Sequence, residues 1–280
     1  MIELSKWMIH RDRVLVMGIV NATPDSFYDG YRYFRHKDAI DRGLQMVDEG
    51  ADIVDIGGES TRPGAESISA QMEMDRVLPV VEGIRKQSAI PISIDTTKAR
   101  VAEEAIRLGA GIINDISALQ LDEQMSDVAT RAGAFTVLMH MQGHPATMQD
   151  RPTYRDVVAE IAAFLAKRID AAIAAGISED RIIIDPGIGF GKTAEHNLTI
   201  LRDLAQLVSL GKPILVGLSR KAFLGAILDL PESERIEGTI AANTAAILNG
   251  ASIIRVHDAK EGRRTADVAA RLRNHAIPSC

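Results

Sequence analysis

Asp95, Asn114, Asp185 and Lys221 each close or closely follow a short apolar run, and together they offer two carboxylates, an amide and a cation. Around one apolar mouth, those residue types suit a flat heterocycle with an amino-pyrimidinone edge. Its N–H donors would meet a carboxylate bidentately, and its carbonyl would meet lysine or asparagine. Asn21, Arg62, Arg255 and His257 form a second set, with contacts for an anion such as a phosphate and for a metal ion. The two sets imply a site in two halves.

Competing readings of the same stretches are weaker. Pro186-Gly-Ile-Gly-Phe-Gly-Lys192-Thr193 ends like a phosphate loop, but proline stands where that motif needs glycine and lacks the N–H that the cradle uses. Gly187, Gly189 and Gly191 are spaced G-x-G-x-G, which also misses the dinucleotide fingerprint. Nucleotide hydrolysis is therefore disfavoured. His140 and His144 read as hydrogen-bonded rim residues rather than a zinc pair, because Gly143 and Pro145 break any helix between them. Lys221 stands beside Arg220, with Asp185 as a candidate ion-pair partner, and reads as a hydrogen-bonding cation rather than a Schiff-base nucleophile. Asp55 divides evenly between holding a neighbouring loop and taking part in function.

Eight apolar runs carry these side chains, at 14–21, 53–55, 91–95, 112–115, 136–140, 181–185, 213–219 and 253–257. Their β-branched residues, apolar on both faces, are those of strands covered on both sides in a parallel sheet. The segments between them are each long enough for a helix. That pattern predicts an α/β fold, a (β/α)8 TIM barrel with its chemistry at the C-terminal strand ends. The chain of 280 residues fits one domain over 1–280, given the ~250 typical of such barrels.

A weak repeat sets the phase of these strands. Gly50-Ala51, Gly109-Ala110, Gly133-Ala134 and Gly250-Ala251 each precede a run, as expected of a glycine ending a helix in the left-handed region. Five residues beyond three of those glycines stand Asp55, Asn114 and Arg255, and seven beyond Gly133 and Gly250 stand His140 and His257. Equal parity predicts one shared face, turned into the barrel mouth. Tyr154 to Ala175 has helical periodicity, and Arg235 to Leu248 reads as an alanine-rich helix whose small side chains suit plain packing against another helix ahead of a contact with a second subunit. The stretches 21–30, 57–64 and 141–152, rich in Gly, Pro, Ser and Asp, are lid candidates.

Lysine and arginine number 32 against 38 acidic residues, a net charge of −6 without any basic tract, which argues against a nucleic-acid partner. The one cysteine, Cys280, excludes an intrachain disulfide and a thiolate metal site. Residues 1–13 mix charges among apolar positions and form neither signal peptide nor membrane span, so a cytoplasmic protein is expected.

From Val14 to Asp258 the chain resembles the dihydropteroate synthases, folate-pathway enzymes targeted by sulfonamides. The resemblance rests on Asn21-Ala-Thr-Pro-Asp-Ser-Phe27, Gly57-Gly-Glu-Ser-Thr-Arg-Pro-Gly64, Asp185-Pro-Gly-Ile-Gly-Phe-Gly-Lys192, Ser219-Arg-Lys221 and Arg255-Val-His257. It implies condensation of 6-hydroxymethyl-7,8-dihydropterin pyrophosphate with p-aminobenzoate, releasing pyrophosphate with the help of Mg2+. It further implies that Asp95, Asn114, Asp185 and Lys221 hold the pterin between Met139 and Phe190. Asn21, Thr61, Arg62, Arg255 and His257 would take the pyrophosphate, Asn21 through the metal. Phe27, Arg62, Pro63, Ser219 and Lys221 would frame p-aminobenzoate, with Asp95, Asp185, Lys221, Arg255 and His257 as the catalytic set and a homodimer as the assembly. Tyr28 and Tyr31 depart from the small residues usual after the first loop motif. The alternatives are a corrinoid-type methyltransferase, against which Arg62 and Ser219-Arg-Lys221 stand, and a non-catalytic pterin-binding barrel.

Overall fold

The computed structural model describes residues 3–11, 13–23, 36–60, 64–145 and 147–274. A short helix, α1 (Leu4–His10), precedes β1 (Leu15–Asn21), and strands and helices then alternate. They run α2 (His36–Asp48), β2 (Ile53–Gly57), α3 (Ala70–Gln87), β3 (Ile92–Asp95), α4 (Ala99–Arg107), β4 (Ile112–Asp115), α5 (Met125–Ala132) and β5 (Phe135–Met139). The second half holds α6 (Val157–Ala174), β6 (Ile182–Asp185), α7 (Ala194–Arg202), β7 (Leu215–Gly217), α8 (Ala222–Leu228), α9 (Ile236–Leu248), β8 (Ile253–Val256) and α10 (Ala259–Asn274). All eight strands lie in one parallel sheet, ordered β6-β5-β4-β3-β2-β1-β8-β7. A bridge between Ile184 and Ile214 joins its two ends, so the sheet comes close to a closed barrel, as the eight runs predict.

Alternation along each strand divides the apolar side chains into two cores. Val16, Val54, Ile94, Ile113, Leu138, Ile184 and Ile254 point outward and pack with helix residues such as Met46, Val77, Ile161 and Ala246. Leu15, Met17, Ile53, Ile112, Phe135, Val137, Ile183, Leu215 and Ile253 fill the interior, and Leu4, Trp7 and Met8 of α1 plug its lower end. The indole of Trp7 is fixed there by donating to the Arg13 carbonyl at 2.8 Å. With the lower end of the interior filled by these apolar groups, the inward-facing charged side chains of the described strands gather at the upper end.

Gly50, Gly109, Gly133 and Gly250 all have positive φ, as their role as helix stops requires. Helix α6 starts at Val157 rather than Tyr154, because the Asp156 carboxylate caps it by accepting from the N–H groups of Val158 and Ala159. The run 213–219 yields a strand only over Leu215–Gly217, since Pro213 has no N–H to give and Arg220 turns the chain at φ 58°. In β5 the parity expectation fails for His140. Phe135 follows Ala134 directly, one residue sooner than Ile53, Ile112 and Ile253 follow their alanines, so Met139 takes the inward position and His140 the outward one. The His140 ring accordingly packs edge-on against Phe164 of α6, centroid to centroid 4.9 Å.

Candidate active site

Two residues above the interior apolar layer, the inward positions turn polar. Asp55, Asp95, Asn114, Asp185 and Arg255 continue the phase of Ile53, Ser93, Ile112, Ile183 and Ile253, and Met139 continues that of Val137. The strand register sets Asp95 beside Asn114 and Met139 beside Asp185, while Gly57 lies between Asn21 and Asp95. Arg255 joins the layer across the barrel. Its Nε donates to Oδ2 of Asp55 at 2.6 Å and its Nη2 to Oδ2 of Asp95 at 2.7 Å. Asn114 Nδ2 donates to the same Asp55 oxygen at 3.2 Å, and Oδ1 of Asp55 is buried with no hydrogen-bond partner among the described residues.

The loop after β6 lies directly on the exit of β5. Gly187, Gly189 and Gly191 have φ of 67°, 83° and 64°, and a Cβ on Gly187 or Gly191 would strike the carbonyl oxygen of His140 or Gln142. Only glycine meets both demands at those two positions, whereas at Gly189 it is the positive φ alone that favours glycine, a Cβ there meeting nothing nearer than the Lys221 side chain at 3.3 Å. The Gly187 N–H donates to Oδ1 of Asp185 at 2.7 Å, and Oδ1 of Asn197 accepts from the Gly189 N–H at 2.9 Å. Phe190 is thereby presented beneath the Lys221 ammonium, 4.4 Å from the ring centroid, a cation–π distance. Beyond β8, the Ser219 hydroxyl lies 3.0 Å from Nδ1 of His257 and accepts from its backbone N–H at 3.2 Å.

Burial and mutual charge set the ionisation of this group. Burial lifts the Asp185 carboxyl to about 6, against the Gly187 N–H and the cations Lys221, Lys192 and Arg255. It lifts Asp95 to about 7, where Arg255 opposes the rise and Asp55 adds to it. Lys221 is lowered to about 8 by burial and by Arg255, with Asp185 and Asp95 pulling the other way. For Arg255, burial is outweighed by Asp55 and Asp95, which hold it above its ordinary value. The mouth thus presents acceptors that remain partly protonatable near neutrality, facing cations that stay charged.

Residues 17–257 match the family described as pterin binding enzyme. The dihydropteroate synthase of Synechocystis sp. is 47% identical over 258 residues, 92% of this chain and 89% of that one. The chain belongs to the dihydropteroate synthase family of pterin-binding enzymes. Its barrel superposes on the Yersinia pestis dihydropteroate synthase solved with a sulfonamide drug, with a TM-score of 0.90 at 41% identity and coverage of 98% of this chain and 96% of that one. The Xanthomonas albilineans dihydropteroate synthase solved with 4-aminobenzoic acid gives 0.88 at 44% identity, covering 96% and 95%.

Against the residues that the dihydropteroate synthase resemblance implied, the structure brings Asp95, Asn114, Met139, Asp185, Phe190, Lys221 and Arg255 to one end of the barrel, with Asn21, Ser219 and His257 at strand ends beside them. Phe27, Thr61, Arg62 and Pro63 lie outside the described residues, as do Tyr28 and Tyr31. The carboxylates that meet Arg255 are Asp55 and Asp95, which ties the cation expected in the anion half to the heterocycle half. Arg220 is engaged elsewhere, donating to Asp258 at 2.7 and 3.1 Å. Two buried charged residues of this end of the barrel went unassigned from sequence. Asp55 was signalled by sharing its phase with Asn114 and Arg255, whereas Lys192, 3% exposed, was hidden by its likeness to a phosphate-loop lysine.

Proposed function

We propose that this chain is a transferase that condenses 6-hydroxymethyl-7,8-dihydropterin pyrophosphate with p-aminobenzoate, giving 7,8-dihydropteroate and pyrophosphate for folate synthesis. One observation carries the reading: a buried acceptor, Asp185, next to Phe190 and Lys221 in the mouth of a barrel of this family. The Asp185 carboxylate accepts from the paired N–H groups of the pterin, Asn114 and Lys221 meet its remaining polar edge, and Met139 and Phe190 flank its ring. Asp95 and Asp185 lie where positive charge develops on the exocyclic carbon as its bond to the pyrophosphate oxygen breaks. The p-aminobenzoate nitrogen forms the new bond and loses its proton to water, so no enzyme nucleophile and no dedicated base are required.

Arg255 and His257 bind the departing pyrophosphate, joined by Thr61 and Arg62. Ser219 and Lys221 frame p-aminobenzoate, together with Phe27, Arg62 and Pro63. Asn21 ends β1 at an inward position beside Gly57, and its amide oxygen is a donor suited to a hard cation. No group of three His, Cys, Asp or Glu side chains able to hold a metal occurs among the described residues. The Asn21 amide oxygen would serve as a protein ligand to Mg2+ alongside the pyrophosphate itself. When bound, Mg2+ would supply charge neutralisation on the leaving group.

A homodimer in the cytoplasm is part of the same reading. Apolar Ile227 and Leu228 on α8 and Ile240 on α9 are exposed, and no helix among the described residues is long and apolar enough to cross a membrane. Sulfonamides, as p-aminobenzoate mimics, are the expected inhibitors. The deciding assay is pyrophosphate release: it must require both the pterin substrate and p-aminobenzoate, and release with either alone would overturn the assignment.

A further inference from the structure

Lys192 is buried with its ammonium against neutral groups. Nζ lies 3.0 Å from Nδ1 of His140, 3.0 Å from the carbonyl oxygen of Phe190 and 3.4 Å from that of His140. None of the described carboxylates is within ion-pair distance of it. The imidazole it meets is itself held, edge-on to Phe164 and 6.0 Å from Tyr154, whose hydroxyl donates to the Gly191 carbonyl at 2.9 Å. Because Nδ1 faces an ammonium, it must accept, which places the ring proton on Nε2. Burial and Lys192 together lower His140 to about 3, so the ring stays neutral.

An ammonium in such a place is expensive to desolvate, and a neutral donor could tie the same two loops together at less cost. What a neutral donor could not supply is charge. Against its burial, Lys221 after β7, Lys192 and Arg255 on β8 all favour the ionised form of Asp185. Burial lowers Lys192 to about 7, with Asp185 opposing the fall and Lys221 adding to it, so the lysine is cationic over the range below about pH 6 in which Asp185 takes up its proton. His140 from the β5 exit is in contact with it, and Tyr154 and His196 lie beyond.

We propose that Lys192, seated on His140, is a positioning residue for the pterin half of the site. It sets Phe190 through the Phe190 carbonyl and sustains the charge of Asp185 through space. The inference rests on the pterin-binding reading above.

The test compares wild type, Lys192→Met and Lys192→Arg in calorimetric titrations with a pterin analogue from pH 5 to 8, alongside thermal unfolding. Wild-type binding should weaken below about pH 6 as Asp185 takes up a proton. In Lys192→Met that limb should move up by on the order of 0.5–1 pH unit, and affinity at pH 7 should fall roughly tenfold as Phe190 loses its placement. Lys192→Arg should leave the limb where it is. A Lys192→Met protein that loses stability while its limb and affinity stay put would make the lysine merely structural and overturn the proposal. If that variant does not fold, reciprocity gives a second test that needs no ligand. In Asp185→Asn the Lys192 titration, followed by NMR of labelled lysine side chains, must shift down, and an unshifted titration would sink the idea. A wild type that binds no pterin analogue would remove the proposed function instead, leaving the reciprocal shift to decide the role of Lys192.

Discussion

Arg255 and Asp55 meet at 2.6 Å between β8 and β2, two strands that are separated in the sheet by β1. The side chain of Asp55 is fully buried and that of Arg255 is 21% exposed, so the pair lies at the boundary between barrel interior and substrate space. Changing Asp55 to Asn should lower stability by about 2 kcal/mol, below the 3–5 typical of a broken buried pair because Asp95 still compensates Arg255. Urea unfolding measures this, and a change under 0.5 kcal/mol would mean that Asp95 alone holds the guanidinium.

Asp185 should make the protein less stable as pH rises. Its folded value of about 6 exceeds the ordinary 3.8, so between those values the folded chain keeps a proton that the unfolded chain has lost. Stability from this group is therefore present at low pH, lost through that window and gone above about pH 6. Asp185→Asn cannot titrate. Relative to wild type, the variant should gain about 3 kcal/mol between pH 4 and pH 8. A difference independent of pH would show that Asp185 titrates normally.

The same substitution should weaken binding of a pterin analogue at pH 8 by about 1–3 kcal/mol, because an amide offers one acceptor where two are needed. Calorimetry reads this directly, and unchanged affinity would remove Asp185 from the pocket.

Gly187→Ala and Gly211→Ala separate backbone strain from collision. Both glycines have positive φ, 67° and 71°, but a Cβ at Gly211 meets nothing within 4 Å whereas one at Gly187 strikes the His140 carbonyl. Gly211→Ala should cost about 1 kcal/mol. Gly187→Ala should cost about 3 kcal/mol or more and abolish turnover, since the loop must leave β5. Similar melting temperatures for the two variants would contradict the close approach.

Lys221 should form no imine. Burial and Arg255 lower it to about 8, against Asp185 and Asp95, so at pH 7 it is still mostly an ammonium, lying over the Phe190 ring. Borohydride treatment with substrate present should leave the protein mass unchanged, and a stable adduct on Lys221 would overturn the assignment.

Much of this architecture was legible in the chain itself. The run Ile112–Asp115 is the strand observed, and the common spacing of Asp55, Asn114 and Arg255 from their glycines anticipated side chains that do bond to one another. His140 was misplaced because that spacing assumes equal lengths between helix stop and strand, and β5 starts one residue early. Lys192 was illegible for a different reason. Its environment comes from a residue 52 positions away at the end of another strand, a contact created by the barrel and by no local pattern.

The early start of β5 selects the chemistry of the wall. Had the inward phase begun at Thr136, as the spacing of the other strands anticipates, an imidazole would face the barrel mouth, a group whose charge changes near pH 6.5. In its place stands the thioether of Met139, polarizable and uncharged at every physiological pH. On that side the cavity offers contact without charge, so its proton balance is left to Asp95, Asp185 and Lys221, and a one-residue difference in where the inward phase of β5 begins has kept a proton-exchanging ring out of the mouth.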